Sequence, residues 1–282
     1  MTIVKEIKSI DLASYTIIAT AIAVLFSVIF SIVIVIGMGI VSLEAVGSSL
    51  YLVSTLIIGT LMYATYNYFC QGFLYNLLGK KLNVINITLK DEKEITKVST
   101  TQTATIISLI VTIQVILIYL VSIFLLPLFI NSVIQTLLFS GQEALAYALY
   151  QFIILLSQPL IIAMLIFGTF VITFVFVLLG CYIYNILANT GRGAVVNLSK
   201  EGDLTAIDSV DTIKFTIAFG LVAGVLNLIA AIVTLASTNI SSALISIVVG
   251  FISAFVNAAL IAIFYNFLAP KLGKLKLELI DQ

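Results

Sequence analysis

Apolar and polar positions in this chain sort into long blocks. Apolar runs cover roughly residues 13–41, 50–74, 103–130, 152–183, 213–236 and 242–267, and each reaches the ~20 residues that a helix needs to cross the hydrocarbon of a bilayer. Six membrane spans are predicted. After every second span the pattern changes from continuous to alternating. Ile85, Ile87 and Leu89 occupy every second position, as do Ala194, Val196 and Leu198, and then Leu275, Leu277 and Leu279. A period of two is that of a strand with one covered face. Segments of β-branched character, "TIVKEIKSID", "EITKVST" and "LTAIDSV", precede the first, third and fifth spans. The polar stretches "KDEK" and "KEGD" have turn composition and predict β-hairpins.

Each alternating stretch begins ten places after a Tyr-Asn pair: Tyr75 and Asn76, Tyr184 and Asn185, Tyr265 and Asn266. Aligned on the tyrosines, a leucine follows at the third place (Leu78, Leu187, Leu268) and a small residue at the fourth (Gly79, Ala188, Ala269). The unit is strand, span, outside turn, span, Tyr-Asn, strand, written three times over residues 1–90, 91–200 and 201–282. The expected fold is an all-α transmembrane bundle. Its six spans form three parallel two-helix repeats around a pseudo-threefold axis, with short cytoplasmic β-hairpins. The strand from Thr2 to Ile10 and the last strand have no hairpin partner in their own termini. They are expected to pair and close the cap, because an unpaired edge exposes backbone donors and acceptors.

The middle unit is longer. Tyr75 and Tyr184 lie 109 residues apart, Tyr184 and Tyr265 only 81, which places about 28 extra residues near 128–158, between Pro127 and Pro159. The prolines are expected to bend or end helices there. "EALAYALYQF" predicts a helix, and the insertion is expected to form a helical hairpin in the membrane interface anchored by Tyr147 and Tyr150; the alternative is extended spans that project from the bilayer.

Composition supports the membrane reading, with 62% hydrophobic residues and 9% charged against ~45–50% apolar in soluble domains. All 13 Lys and Arg residues fall at the N-terminus, near 80–97, near 192–214 or after 270, while the alternate loops carry only Glu44 and Glu143. The positive-inside rule then puts both termini in the cytoplasm and the protein in the cell membrane. The first apolar run, about 29 residues, exceeds the ~7–15 residue core of a cleavable signal and is expected to remain as a span. Cys70 and Cys181 lie near cytoplasmic span ends, where reducing conditions disfavour a disulfide.

The chain has no His, and no charged residue stands in the central part of a span. A charge retained there marks ion and proton pathways, so proton pumps, cation-coupled carriers and intramembrane metalloproteases are disfavoured. "GRGAVV" lacks the Lys and spacing of a phosphate-binding loop. The residues therefore predict no enzyme, no cofactor and no metal. Basic residues near the inner surface fit topology control, or attraction to anionic lipids.

Polar residues inside the spans are the remaining candidates. Asn67 and Asn257 stand eight places before their tyrosines, with Phe176 at the middle position, and the small residues Ala64, Thr173 and Ala254 stand three places earlier. Shared helix faces should point both inward. Interhelical hydrogen bonding is the plainer reading; the sharper one lines a path for water or a neutral solute, against which Phe176 counts. Gly220 and Gly224 at GxxxG spacing, with Asn227 one turn on, predict close helix packing, as do Gly59 and Gly168. The Tyr of each pair suits the headgroup zone. The Asn suits a helix end, either left-handed or bonded to local backbone. A binding role for three clustered amides is the alternative.

These features resemble a family of short prokaryotic membrane proteins of unknown function with two spans each. The family pattern opens on Ile-Asp and a nearby Ser and closes on Tyr-Asn, a glycine-bearing turn and a short strand. "IDLAS" at Ile10 to Ser14 matches the opening, "IDSVD" at Ile207 to Asp211 matches with Asp in place of Ser, and "VSTTQ" matches only at Val98. The glycine falls at Gly79, at Gly191 or Gly193, and at Gly273. The resemblance implies a fold and no activity. The expected function is a non-enzymatic membrane scaffold or partner-binding protein; the alternative is a passive channel or carrier for a small neutral or lipid-like molecule. Its expected partners are membrane lipids and another membrane protein, with no nucleic acid.

Overall fold

A computed structural model describes residues 2–82, 84–234 and 240–281. The element order is β1 (Thr2–Ile10), α1 (Leu12–Val41), α2 (Leu43–Gly79), β2 (Ile85–Lys90), β3 (Glu94–Val98), α3 (Thr100–Phe139), α4 (Glu143–Leu156), α5 (Pro159–Leu187), β4 (Val196–Glu201), β5 (Leu204–Val210), α6 (Thr212–Thr234), α7 (Ile240–Leu272) and β6 (Leu275–Asp281), with a π-helical turn at Ala188–Arg192. Six helices are long and apolar enough to cross a membrane. At 1.5 Å per residue, α1 with its 30 residues reaches about 45 Å, beyond the ~30 Å of hydrocarbon. Large apolar side chains stay on the outside, among them Phe30, Ile36, Phe167 and Ile252, as lipid-facing helices require. The expected outside turn between the fifth and sixth spans, 235–239, lies outside the described residues.

Two compact units divide the chain, Met1–Ile106 with Leu178–Gln282, and Ile107–Val177. The first holds the sheet, with strand order β3-β2-β1-β6-β5-β4, each neighbouring pair antiparallel. The chain's two end strands pair as expected, with Lys5 opposite Asp281 and Ile7 opposite Leu279 before a bulge. The edges also meet: Glu94 bridges Val195, the Ile95 N–H donates to the Ala194 carbonyl at 2.9 Å and the Val196 N–H donates to the Lys93 carbonyl at 2.9 Å. The sheet therefore closes on itself and leaves few backbone groups for an outside strand. Asp91 and Glu92, both left-handed (φ 53° and 55°), make the tight β2–β3 turn whose twist suits adjoining strands.

The helix pair α6 and α7 packs through its glycines. A Cβ at Gly220 would stand 2.8 Å from the Phe255 ring and one at Gly224 2.7 Å from the Phe251 ring. Asn227 secures the same seam by donating from Nδ2 to the Gly250 carbonyl at 3.0 Å. Gly224→Ile is expected to destabilise by about 1–3 kcal/mol through overpacking, read as a lower thermal midpoint in detergent. Gly59 and Gly168 do not share this role, since no described atom comes within 4 Å of a Cβ there; their faces are open.

α3 continues through Pro127 for 40 residues in all; of the two expected effects of that proline, a bend or an end, the end does not occur. Nearby, the Tyr119 hydroxyl donates to the Leu156 carbonyl at 3.0 Å and joins α3 to α4, beside a cavity of about 40 Å³ lined by Pro127, Ile123 and Ile153. Pro159 opens α5, where its fixed φ fits and its missing N–H costs nothing. Gly141 (φ 75°) turns the chain between α3 and α4.

Candidate functional site

The three Tyr-Asn pairs sit where helices meet the sheet. The Tyr75 hydroxyl donates to the Ile7 carbonyl at 2.5 Å, that of Tyr184 to the Ile95 carbonyl at 2.7 Å, and that of Tyr265 to the Ile207 carbonyl at 2.5 Å. Two of these hydroxyls also accept a backbone bond from the neighbouring strand segment, from the Ala194 N–H at 3.1 Å and the Leu275 N–H at 3.3 Å; Tyr75 has a backbone bond with Ile85. Each phenol thus ties two adjacent segments together from a helix below. At 4–6% exposure the three side chains are packed inside the protein, with hydroxyls bonded to backbone in place of water.

The asparagines grip the residue that ends a strand. Asn76 accepts from the Ile10 N–H and donates to the Ile10 carbonyl, both at 2.8 Å. Asn185 does the same to Val98 at 2.8 and 2.9 Å, and Asn266 to Val210 at 2.8 and 2.7 Å. A carboxamide offers one acceptor and a donor pair on one plane, which matches a backbone N–H and C=O leaving the ladder. No Asn here ends its helix or turns left-handed: α2, α5 and α7 run on past each one, and among the described non-glycine residues only Asp91 and Glu92 have positive φ. The expected local role is replaced by a long-range one.

The next residue after each gripped one begins a helix. Asp11 accepts from the Ser14 N–H at 2.8 Å and Asp211 from the Lys214 N–H at 2.9 Å, each satisfying an orphan donor of the first turn. The Ser99 hydroxyl instead accepts from the Asn86 N–H at 3.0 Å. Hydrogen bonding thus places Asp211, not Asp208, in the position of Asp11, three residues from the phase suggested by "IDSVD".

The remaining candidates diverge. Asn67 is half-buried and accepts from Gln71 at 3.4 Å, while Gln71 accepts from the Tyr15 hydroxyl at 2.9 Å. Asn257 is exposed, although Ala64 and Ala254 are buried as expected. Phe176 is 39% exposed. The expectation that both asparagines point inward fails at Asn257, because helix rotation is set by packing partners that a repeat alignment does not encode. Cys70 and Cys181 are free and half-buried.

Ion pairs across the strands complete the sheet. Lys5 meets Asp281 at 2.8 Å, Lys8 meets Glu278 at 2.8 Å, and Lys274 meets Glu201 and Asp208 at 3.1 and 2.7 Å. Sequence reading passed over these residues; their alternation with apolar positions on strands was the available signal. At the mouth of the closed sheet, Lys5, Lys93, Lys200, Asp91, Glu92 and Asp281 border a cavity of about 260 Å³. Lysine hydrogen bonds hold Glu201 (from Lys276, then Lys274), Asp208, Glu278 and Asp281 below the usual carboxylate range. Asp208 and Glu201 raise Lys274.

A lowered carboxylate pKa stabilises the fold above the unfolded value, ~4, and loses that effect as pH falls through the folded value. A raised lysine does so below ~10.4 and loses it on alkalinisation. Thermal stability in detergent is therefore expected to stay flat at neutral pH and to fall at both extremes. Lys274→Gln should blunt both slopes. Equal slopes in wild type and variant would exclude these pairs as the cause.

Among the described residues no cluster of His, Cys, Asp or Glu could hold a metal ion, and the Tyr-Asn groups are all engaged with backbone. Compared with known proteins, the chain matches no family model, no curated protein and no solved structure.

Proposed function

We propose that this is a non-enzymatic membrane scaffold or partner-binding protein, built from three copies of one module around a pseudo-threefold axis, with the sheet and both termini in the cytoplasm. The recurrence of one hydrogen-bond set at Tyr75-Asn76, Tyr184-Asn185 and Tyr265-Asn266 is the observation that carries this reading. It spends the most chemically capable residues on rigidity, which favours a platform over a catalyst. The module's likeness to short two-span proteins fits a fused trimer.

The test pairs two measurements on the full chain. Crosslinking from cysteines placed on the outer sheet face, in native membranes, should trap a defined partner protein, and proteoliposomes should show no protein-dependent flux of water or glycerol. Flux without a trapped partner overturns the reading. A passive channel is the second reading, favoured by the buried hydroxyls of Thr16, Thr20 and Ser31 along α1, which have no hydrogen-bond partner among the described residues.

A further inference from the structure

From the second unit, we infer a binding groove for a lipid with a primary-amine headgroup. Residues 107–177 contain a single charged side chain, Glu143, and it stands at the end of the groove. The C-terminal part of α3 presents Ile134 and Leu138 one turn apart, and α4 presents Glu143, Ala146, Tyr147 and Tyr150 around a cavity of about 670 Å³. Positions i, i+3, i+4 and i+7 share one helix face, so the acid, the small residue and both phenols line one wall. Ala146 is 2% exposed and forms a floor low enough for a chain to enter, while Tyr147 and Tyr150 remain 65% and 52% exposed.

Charge decides the occupant. Glu143 forms no ion pair with any described residue, and it lies in the first turn of α4, where the helix dipole favours a carboxylate. The walls are apolar and take an acyl chain; the volume falls in the ~300–1,000 Å³ range of ligand pockets. An ethanolamine ammonium can donate hydrogen bonds to Glu143 and lie over a tyrosine face. Choline brings the same charge without donors. An anionic glycerol headgroup would face an acid with no lysine or arginine in the unit to offset it. The groove therefore selects phosphatidylethanolamine over phosphatidylglycerol, with phosphatidylcholine between them. This holds whether or not the protein is a scaffold.

Native mass spectrometry of the full chain tests it, after exchange into nanodiscs of equal parts of the three lipids with identical acyl chains. Wild type should retain phosphatidylethanolamine at least fivefold over phosphatidylglycerol. Glu143→Gln, an exposed isosteric change, should bring that ratio near one, and Ala144→Trp, which fills the groove from an exposed position, should reduce retention of all three. Equal retention by wild type, a preference for phosphatidylglycerol, or a preference unchanged in Glu143→Gln overturns the inference. So does unchanged retention in Ala144→Trp of wild-type helicity.

Discussion

Asn185→Leu is expected to lower stability by about 2–4 kcal/mol, since it removes two hydrogen bonds to backbone and leaves a strand-end N–H and C=O without partners at a helix junction. The Asn185 amide holds both backbone groups of Val98 and also donates to the Thr100 hydroxyl at 3.2 Å. Leucine matches the size and offers nothing polar. Asn76→Leu and Asn266→Leu should behave alike, because the same two bonds to Ile10 and Val210 are lost. Asn197→Leu is the control: its amide bonds the Ser209 hydroxyl on an exposed face, where water can substitute and the cost should stay under about 1 kcal/mol. Thermal and denaturant unfolding in one detergent would rank the four. Equal stability of Asn185→Leu and wild type would mean that water serves Val98 equally well, and the carboxamides would again be free for another task.

What could be read in the sequence follows from what local pattern encodes. Continuous apolar runs against strict alternation separate the long helices from β2, β4 and β6 without ambiguity, and "KDEK" and "KEGD" mark the turns between strands. The pairing of Thr2–Ile10 with Leu275–Asp281 was legible too, as the only solution that leaves neither strand with an open edge. The work of Tyr184 and Asn185 was not legible, since their partners lie 89 and 87 residues away and nothing local announces such a bond. The cap position was hidden as well: "IDSVD" repeats the Ile-Asp of "IDLAS", yet the acid that caps α6 is Asp211, which accepts from the Lys214 N–H, three residues beyond Asp208. Asn257 was misread for another reason, because its place in the alignment fixes depth along α7 and not rotation about it.

Gly193→Val is expected to open the closed sheet. A Cβ at this residue would stand 2.5 Å from the Ile95 carbonyl oxygen, closer than packing tolerates, and the obstacle is backbone that cannot swing aside. The same short stretch carries the seam between β3 and β4, which rests on one bridge, Glu94 to Val195, and the two backbone bonds that flank it. The β1–β2 seam, by contrast, runs over six paired residues. The added side chain therefore strikes the joint with the least reserve. Nine places after Tyr75 and Tyr265, the corresponding residues are Val84 and Lys274, so bulk is accepted at those joints and glycine is demanded only at this one. Hydrogen exchange should report the result directly: the amides of Ile95 and Val196 should lose protection by at least tenfold in Gly193→Val, while those of β1 and β6 stay protected. Gly79→Ala, whose Cβ would meet nothing nearer than 3.5 Å, should leave every strand as it was. Loss of protection confined to β3 and β4 identifies a ring opened at one seam. Full protection in Gly193→Val would show instead that the β3–β4 contact yields without breaking, and that closure does not depend on this glycine.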